Sequence, residues 1–507
     1  MEFPYIELWM PIVVLVCLAF LVDAFGSVVH QPALSRNAPK WFQLRDWPIL
    51  GAVRFYSHRS DFMTAGSRQS PTGNFSFRVG KKHVIGLSGH DGRDVFFNSK
   101  ALDFSAGFIE LFTGGPTTSS DQSFHQGFFN KNLLLLMKGE NFVKNLPLLN
   151  ADILKACRAL VAAPKSTVAP EWRVTDPFFS MYVMVYQLTV RTLGANEVAD
   201  DEKLLRYTLD IFQTFQQCES PTRVAIPWMP TWNYVRQYYC GLKLAIVFKD
   251  IIRKRQATGK RDNDALQFLI DQGGTLQEII PFQIGVLFAG LINTGIVAAW
   301  LHIHLTQSPV WMSLVRKEVD DALRKYRSTA WESEADILGR LTVSQWESEF
   351  STIHTCLREC IRWGIPGTGA RKNTTNHDIP IGKTGEVIPS GAYAVLVLDD
   401  VHMDKKVYEA PDTFDPGRFN EERAEDKKVP FGYLGWGAGR HPCLGMRFAK
   451  LEMTMITVYF VVMFDFELSD RDGNHNLTPP PPIDRNQPKA QIPSIPQFLR
   501  YKLRHQF

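Results

Sequence analysis

The chain has 507 residues, of which 45% are hydrophobic, 12% aromatic and 21% charged. That balance excludes disorder, which needs low hydrophobicity and high net charge, and the ordinary glycine and proline content excludes collagenous and low-complexity classes. A formal net charge of +4 is small for this length and does not point to a nucleic-acid partner.

The cysteines are seven, an odd number spread thinly along the chain. A disulfide framework would be denser and usually even, and no C-x-x-C pair is present for a zinc ribbon or a thioredoxin-like motif. The expected setting is reduced and cytosolic, with room for one cysteine of special chemistry.

In chain order, the first predicted element is the uncharged run Leu8–Val22, extended past Asp23 to Val29. It is close to the length of a spanning helix, with Trp9 suited to an interface. A cleaved signal peptide would want a basic start and a small-residue cleavage site. Here Glu2 and Glu7 lead, and Arg36, Lys40 and Arg45 follow, which places the later chain in the cytosol. The reading is an uncleaved anchor, with a cleaved signal or a buried core helix as alternatives. Pro32, Pro39 and Pro48 then mark a stiff connector. Asn74 and Asn373 sit in glycosylation sequons, which a cytosolic placement makes meaningless.

Short strands are predicted at 76–79, 83–87 and 393–398. Helical periodicity dominates from about 145 to 365, with clear examples at 204–217, 239–255 and 310–326. No repeat or long linker divides the body. The most unusual helix is predicted over 281–305, apolar nearly all round, as in a large core or a membrane. Gly285, Gly290, Asn293, Thr294 and Gly295 interrupt it, which suggests close approach by another group. A second membrane span is the alternative, disfavoured by the polar centre.

Late in the chain Gly435, Gly437 and Gly439 precede Cys443, Pro442 stands directly before it, and Gly445 follows. Helical periodicity from Met446 puts Cys443 at a helix mouth, where backbone N–H groups favour a thiolate. The glycines let a flat, bulky partner approach the backbone. A dinucleotide loop fails because Arg440 and Pro442 stand where glycine is needed, and a P-loop lacks its Gly-Lys-Ser/Thr. A nucleophilic cysteine would need a base the sequence does not show. An incidental cysteine in a structural turn is the remaining alternative.

The segment Trp436-Gly437-Ala438-Gly439-Arg440-His441-Pro442-Cys443-Leu444-Gly445 resembles the haem-binding signature of the cytochrome P450 superfamily, with Trp436 in place of the usual Phe. Three more stretches match in order. Glu359-Cys360-Ile361-Arg362 is similar to the family's E-x-x-R. Phe414-Asp415-Pro416-Gly417-Arg418-Phe419 is similar to F-x-P-x-R-F. Ala289-Gly290-Leu291-Ile292-Asn293-Thr294 resembles the oxygen-binding segment, with Ile292 replacing the acid and Asn293 the alcohol. Asn-containing versions occur in bile-acid-type sterol hydroxylases and in the prostacyclin synthase branch, which isomerises a peroxide.

The resemblance implies a mainly α fold with small β-sheets, the cytochrome P450 fold, with haem between a long central helix and the cysteine loop. It implies an anchor over 1–29, a proline-containing linker over 30–50 and a haem-thiolate catalytic domain over 51–507. Cys443 is the implied axial ligand of haem b. Trp436, Gly437, Gly439, Arg440, His441 and Gly445 are the implied cofactor-binding residues, His441 toward a propionate. Glu359, Arg362 and Arg418 are the implied structural set, with Arg418 bonding Glu359. Gly290, Asn293 and Thr294 are the implied catalytic residues. For Thr294, bonding back to a helix carbonyl is the competing reading. No clear W-x-x-x-R motif lies near residues 115–145, which leaves His125, Lys131 and Lys138 as propionate candidates.

The implied reaction is monooxygenation of a lipophilic small molecule, a terpenoid or sterol-like intermediate of secondary metabolism. The implied partners are O2, a membrane and a membrane-bound NADPH-dependent cytochrome P450 reductase, with no nucleic acid. The implied place is the endoplasmic reticulum membrane, the domain facing the cytosol. Lys405, Lys406, Lys427, Lys428 and Arg440 could attract an acidic partner or form an ordinary solvated charge run. The alternative is a haem-thiolate isomerase that needs neither NADPH nor O2. The aromatics of 104–129 and 212–239 either line a pocket or pack the core.

Overall fold

The computed structural model of the chain describes residues 18, 35–43, 50–113, 121–218, 224, 231–476, 478–487 and 489–504. The predicted anchor, Leu18 apart, lies outside the described residues, as do 30–34 and 44–49 of the predicted linker.

The longer helices are α1 (Arg59–Gln69), α2 (Gly89–Asn98), α3 (Asp121–Leu136), α4 (Gly139–Ala162), α5 (Pro177–Leu193) and α6 (Glu202–Gln217). They continue with α7 (Trp232–Thr258), α8 (Leu276–Gln307), α9 (Pro309–Tyr326), α10 (Ser351–Gly364) and α11 (Met446–Met463). The strands are β1 (Phe75–Val79), β2 (Lys82–Gly86), β3 (Leu102–Asp103), β4 (Arg173–Thr175), β5 (Thr368–Asn373), β6 (Tyr393–Val397), β7 (Phe464–Ser469) and β8 (Phe498–Leu503). The fold is mainly helical with small sheets. The three predicted strands are present, each within a residue or so of its expected limits.

The chain divides into two compact units, each assembled from three segments. The first comprises Met1–Thr117, Ser220–Tyr234 and Thr368–Asp400. Its sheet has the order β1-β2-β6-β5-β3. β1 and β2 are antiparallel, with Phe77 opposite Val84, while β2 and β6 run parallel. The core beneath holds Phe55, Phe62, Phe75, Phe77, Val84 and Val395, rings meeting edge to face as aromatic quadrupoles prefer. Part of the expected connector joins this unit: Phe42 N–H donates to Ser76 O at 2.8 Å, and Ser76 N–H to Lys40 O at 2.8 Å. Both sequon asparagines, Asn74 and Asn373, are buried, so neither can carry a glycan.

The second unit comprises Thr118–Glu219, Val235–Gly367 and Val401–Phe507. Its centre is α8, packed on α5, α10 and α11. The helix starts five residues before the expected Pro281. Thr275 and Glu278 form a capping box that satisfies the first orphan N–H groups, and Glu278 accepts from Thr275 N–H at 2.9 Å. Among the described residues α8 is the one helix long and apolar enough to cross a membrane, but most of it is buried by protein, which supports the core reading. α5 is similarly initiated: Asp176 accepts from Phe178 N–H at 2.8 Å and Pro177 fills the first turn. Trp300, fully buried on α8, donates its indole N–H to Gln491 O at 2.8 Å. The sheet of this unit has the order β4-β8-β7.

Candidate functional site

α11 begins after Gly445, and Cys443 lies just ahead of it. The loop before it turns tightly. Gly437 and Gly439 have φ of +71° and +58°, the left-handed region where glycine carries no steric penalty. A Cβ on Gly437 would stand 2.8 Å from His441 O. Gly437 N–H donates to Leu434 O at 2.9 Å, and Cys443 N–H to Trp436 O at 2.7 Å, closing the loop on itself.

Cys443 is exposed, whereas Cys157, Cys218, Cys240, Cys356 and Cys360 are buried. The surrounding protein pushes the Cys443 thiol pKa up by desolvation, while the N–H groups of Gly445 and Met446 pull it down. The helix mouth acts in the expected direction and is outweighed by desolvation. Gly437, Gly439, Arg440 and His441 are exposed beside the sulfur, and Trp436 is half-buried.

Glu359 and Arg362 lie one turn apart on α10 and are both fully buried. Arg362 donates to Glu359 from Nε at 2.8 Å and from a terminal nitrogen at 2.7 Å. Arg418 Nε donates to the same carboxylate at 3.0 Å, the bond expected from the resemblance. A surface salt bridge is thereby excluded. Two partners were not legible from the motifs. Glu425 accepts from Arg418 at 2.7 Å. His402 accepts Arg362 on its carbonyl at 2.7 Å, and its Nε2 accepts Leu434 N–H at 2.8 Å. The carboxylate set is thus connected by hydrogen bonds to the loop that carries Cys443.

On α8, Gly285, Gly290 and Gly295 are packing glycines. A Cβ on Gly295 would lie 2.7 Å from Tyr182, and one on Gly290 would lie 3.0 Å from Thr189, both on α5. Ala289 and Asn293, one turn apart, are by contrast exposed. Asn293 Oδ1 accepts from Ala490 N–H at 3.2 Å. Thr294 is buried, and among the described contacts its hydroxyl does not bond back to a helix carbonyl.

Of the propionate candidates, Lys131 and Lys138 are exposed, and the side chain of His125 lies outside the described residues. In the first unit Arg371 is buried with Nε and one terminal nitrogen unpaired, and desolvation lowers its pKa to about 10. Such a cation calls for an anion. Nothing in the local sequence distinguishes it from its neighbour Lys372, which pairs with Glu110 at 2.8 Å.

The cytochrome P450 family profile matches residues 44–493. The chain belongs to the cytochrome P450 family. It is 29% identical over 483 residues to the cytochrome P450 monooxygenase AacuE of Aspergillus aculeatus, covering 93% of this chain and 94% of that one. It is 30% identical over 507 residues to a cytochrome P450 monooxygenase of Pseudocercospora fijiensis, covering 94% and 99%. The retinoic acid bound cyanobacterial CYP120A1 superposes with a TM-score of 0.69 at 19% identity, covering 93% of this chain and all of that one, which supports the fold. The cytochrome P450 is therefore a monooxygenase that takes haem b with a cysteine thiolate on the iron, and it uses O2, an organic substrate and a source of electrons.

The donor set fits that cofactor. An exposed sulfur stands on a loop whose exposed Gly437 and Gly439 carry no side chain, and the central helix of the same unit exposes Ala289 and Asn293.

Proposed function

We propose that Cys443 is the axial ligand and that the cytochrome P450 oxidises a lipophilic small molecule, a terpenoid or sterol-like intermediate of secondary metabolism. The observation that carries the assignment is the exposure of Cys443 on its glycine loop, with two N–H groups directed at the sulfur. A haem with a thiolate ligand favours O–O cleavage and so supplies the oxidising power.

The chain's own residues do the rest. The closed loop from Leu434 to Cys443 orients the sulfur. The N–H groups of Gly445 and Met446 stabilise its thiolate form. His441 and Arg440, exposed beside it, are placed to bind a carboxylate of the cofactor, and Gly437, Gly439, Gly445 and Trp436 shape the seat. On α8, Gly290 admits close packing, Asn293 positions water on the exposed face, and Thr294 is buried next to it. The apolar body of α8 around that face favours a lipophilic substrate.

Electrons come, in this reading, from an NADPH-dependent cytochrome P450 reductase. Residues 1–29 anchor the protein in the endoplasmic reticulum membrane, with the domain 51–507 in the cytosol. Lys405, Lys406 and Lys427 are exposed and suit an acidic partner. Asn293 also keeps a second reading, a haem-thiolate isomerase independent of NADPH.

The test of the ligand is the carbon monoxide difference spectrum of the reduced protein. Cys443→Ala abolishes the thiolate band if the assignment is right, and a surviving band refutes it. NADPH-dependent O2 consumption with added reductase favours the monooxygenase, whereas turnover of an organic peroxide without NADPH favours the isomerase.

A further inference from the structure

From Thr294 to Leu305 every residue of α8 is buried, whereas Ala289 and Asn293, one turn apart, are exposed. Asn293 therefore stands at the border between the covered and the open length of the helix. Part of the cover beyond it is the segment around Ala490. Ala490 N–H donates to Asn293 Oδ1 at 3.2 Å, and Trp300 Nε1–H donates to Gln491 O at 2.8 Å. Residues 293 and 300 are seven apart, about two turns, and so lie on nearly the same face. Two side chains of α8 thus clip two consecutive residues of the segment. The clip is itself braced. The Gln491 amide donates to Lys489 O at 2.9 Å and to Ala490 O at 3.2 Å, and Ala490 is 2% exposed within the core of the unit.

This clip decides which way round the Asn293 amide lies. A carboxamide has one accepting oxygen and one donating nitrogen, and the N–H of Ala490 can bond only the oxygen. Oδ1 is therefore committed to the main chain, and the end left for the open face is Nδ2. Its N–H groups have no partner among the described protein groups. The neighbours on α8 add no exposed acceptor side chain, because Ala289 is apolar and Ile292 and Thr294 are buried. An oxygen that only accepts, as in a ketone or a quinone, is satisfied by such a donor. An alcohol oxygen can accept the same bond, but its own hydrogen then finds no acceptor on this face. A polar hydrogen shut away from water without a partner costs free energy.

We infer that Asn293 is a specificity-determining residue, held by Ala490 so that its Nδ2 selects lipophilic substrates bearing a carbonyl oxygen over the corresponding alcohols. The inference rests on the reading that a lipophilic substrate lies against the exposed face of α8. A substrate carbonyl takes the place of the water that Asn293 otherwise positions and reproduces its hydrogen bond. The Ala490 main chain is the positioning group: without its N–H the amide can turn over and present either end.

The test titrates the haem-loaded protein with two matched pairs, fenchone with fenchol and 5α-androstan-17-one with 5α-androstan-17β-ol, and reads Kd from the change in haem absorption on binding. Wild type is expected to bind the ketone of a pair about fivefold to tenfold more tightly than the alcohol, the scale of one hydrogen bond. Asn293→Asp keeps an acceptor for Ala490 N–H and replaces the free donor by an acceptor, so the order is expected to reverse in favour of the alcohol. Ala490→Pro removes the N–H that orients the amide and is expected to bring the two affinities level. It serves as the second variant if Asn293→Asp fails to fold. The infrared carbonyl stretch of the bound ketone is expected to lie lower in wild type than in hydrocarbon solvent and to return upward in Asn293→Asp. Loss of packing alone would weaken both members of a pair together and would not reverse their order. Equal wild-type affinities overturn the inference, as does an Asn293→Asp protein that keeps the wild-type order or weakens both ligands equally, or a bound ketone whose stretch is not lowered. If no member of either pair binds, the lipophilic-substrate reading fails and takes the inference with it. If both members bind without discrimination, that reading stands and the role of Asn293 alone fails.

Discussion

Glu359→Gln is the sharpest probe of what holds the cysteine loop. The carboxylate accepts four hydrogen bonds: Arg362 at 2.8 and 2.7 Å, Arg418 Nε at 3.0 Å and Asp415 N–H at 3.1 Å. Together with Glu425 it balances two buried guanidinium groups. Glutamine keeps the volume but removes the charge, and its amide nitrogen faces a cation. One positive charge is then uncompensated in the interior. Breaking a buried pair by removing one partner costs about 3–5 kcal/mol, a large part of the ~5–15 kcal/mol that holds a typical fold. The assay is urea unfolding of the haem-loaded protein followed by tryptophan fluorescence, with the carbon monoxide band as a second probe. The expected result is a midpoint shift of that size and early loss of the band. The internal control is Lys317→Ala, which removes an exposed i,i+4 pair with Asp321 and is expected to cost less than about 1 kcal/mol. A Glu359→Gln protein within about 1 kcal/mol of wild type would refute the reasoning.

Three other outcomes are expected. His402→Ala removes the acceptor of the buried Leu434 N–H, for a loss of about 1–3 kcal/mol and reduced haem retention, read from the carbon monoxide band per polypeptide. Gly437→Ala forces a side chain into φ +71° and against His441 O, costing about 1–3 kcal/mol in the thermal midpoint, whereas the same change at Gly445, with nothing near its Cβ and φ −87°, is expected to be much milder. Burial lowers His302 to about 4 and His304 to about 3, so each is neutral when folded. The unfolded chain binds their protons first, at about pH 6.5, so stability is full above that pH and falls as pH drops toward 4. Unfolding midpoints measured across that window in wild type and His302→Gln are expected to converge toward low pH, and parallel curves would refute the assignment.

The legible parts of the site share one property: the chemistry lies within a short stretch of chain. Glu359 and Arg362 are a turn apart, and the residues from Trp436 to Gly445 form one loop, so pattern alone exposed them. Their outer partners were not legible. His402 lies far along the chain from Arg362 and Leu434, the groups it bonds, while Glu425 is close to Arg418 in sequence but outside any regular helix or strand spacing, and neither residue carries a local mark of the donor it will meet. The glycines of α8 show the opposite limit. Their presence was plain, but what approached them was not, because Thr189, Tyr182 and Phe129 come from other helices. The start of α8 was missed for a local reason: Pro281 looked like a beginning, although Thr275 and Glu278 already carried the capping-box spacing.

The bond pattern also explains why Trp436 can replace the usual phenylalanine. Cys443 is held through main-chain groups: its N–H bonds Trp436 O, and Gly437 N–H bonds Leu434 O. Leu434 N–H is fixed by His402, whose carbonyl is fixed by Arg362, whose guanidinium is fixed by Glu359. The loop enters this series of bonds only through its backbone atoms, at 434, 436, 437 and 443, so the identity of the side chain at 436 does not enter it. Its ring packs at the edge of the core, with Lys450 Nζ 5.9 Å from the ring centroid. The position of the sulfur therefore depends more on Glu359, remote in sequence, than on Trp436 beside it.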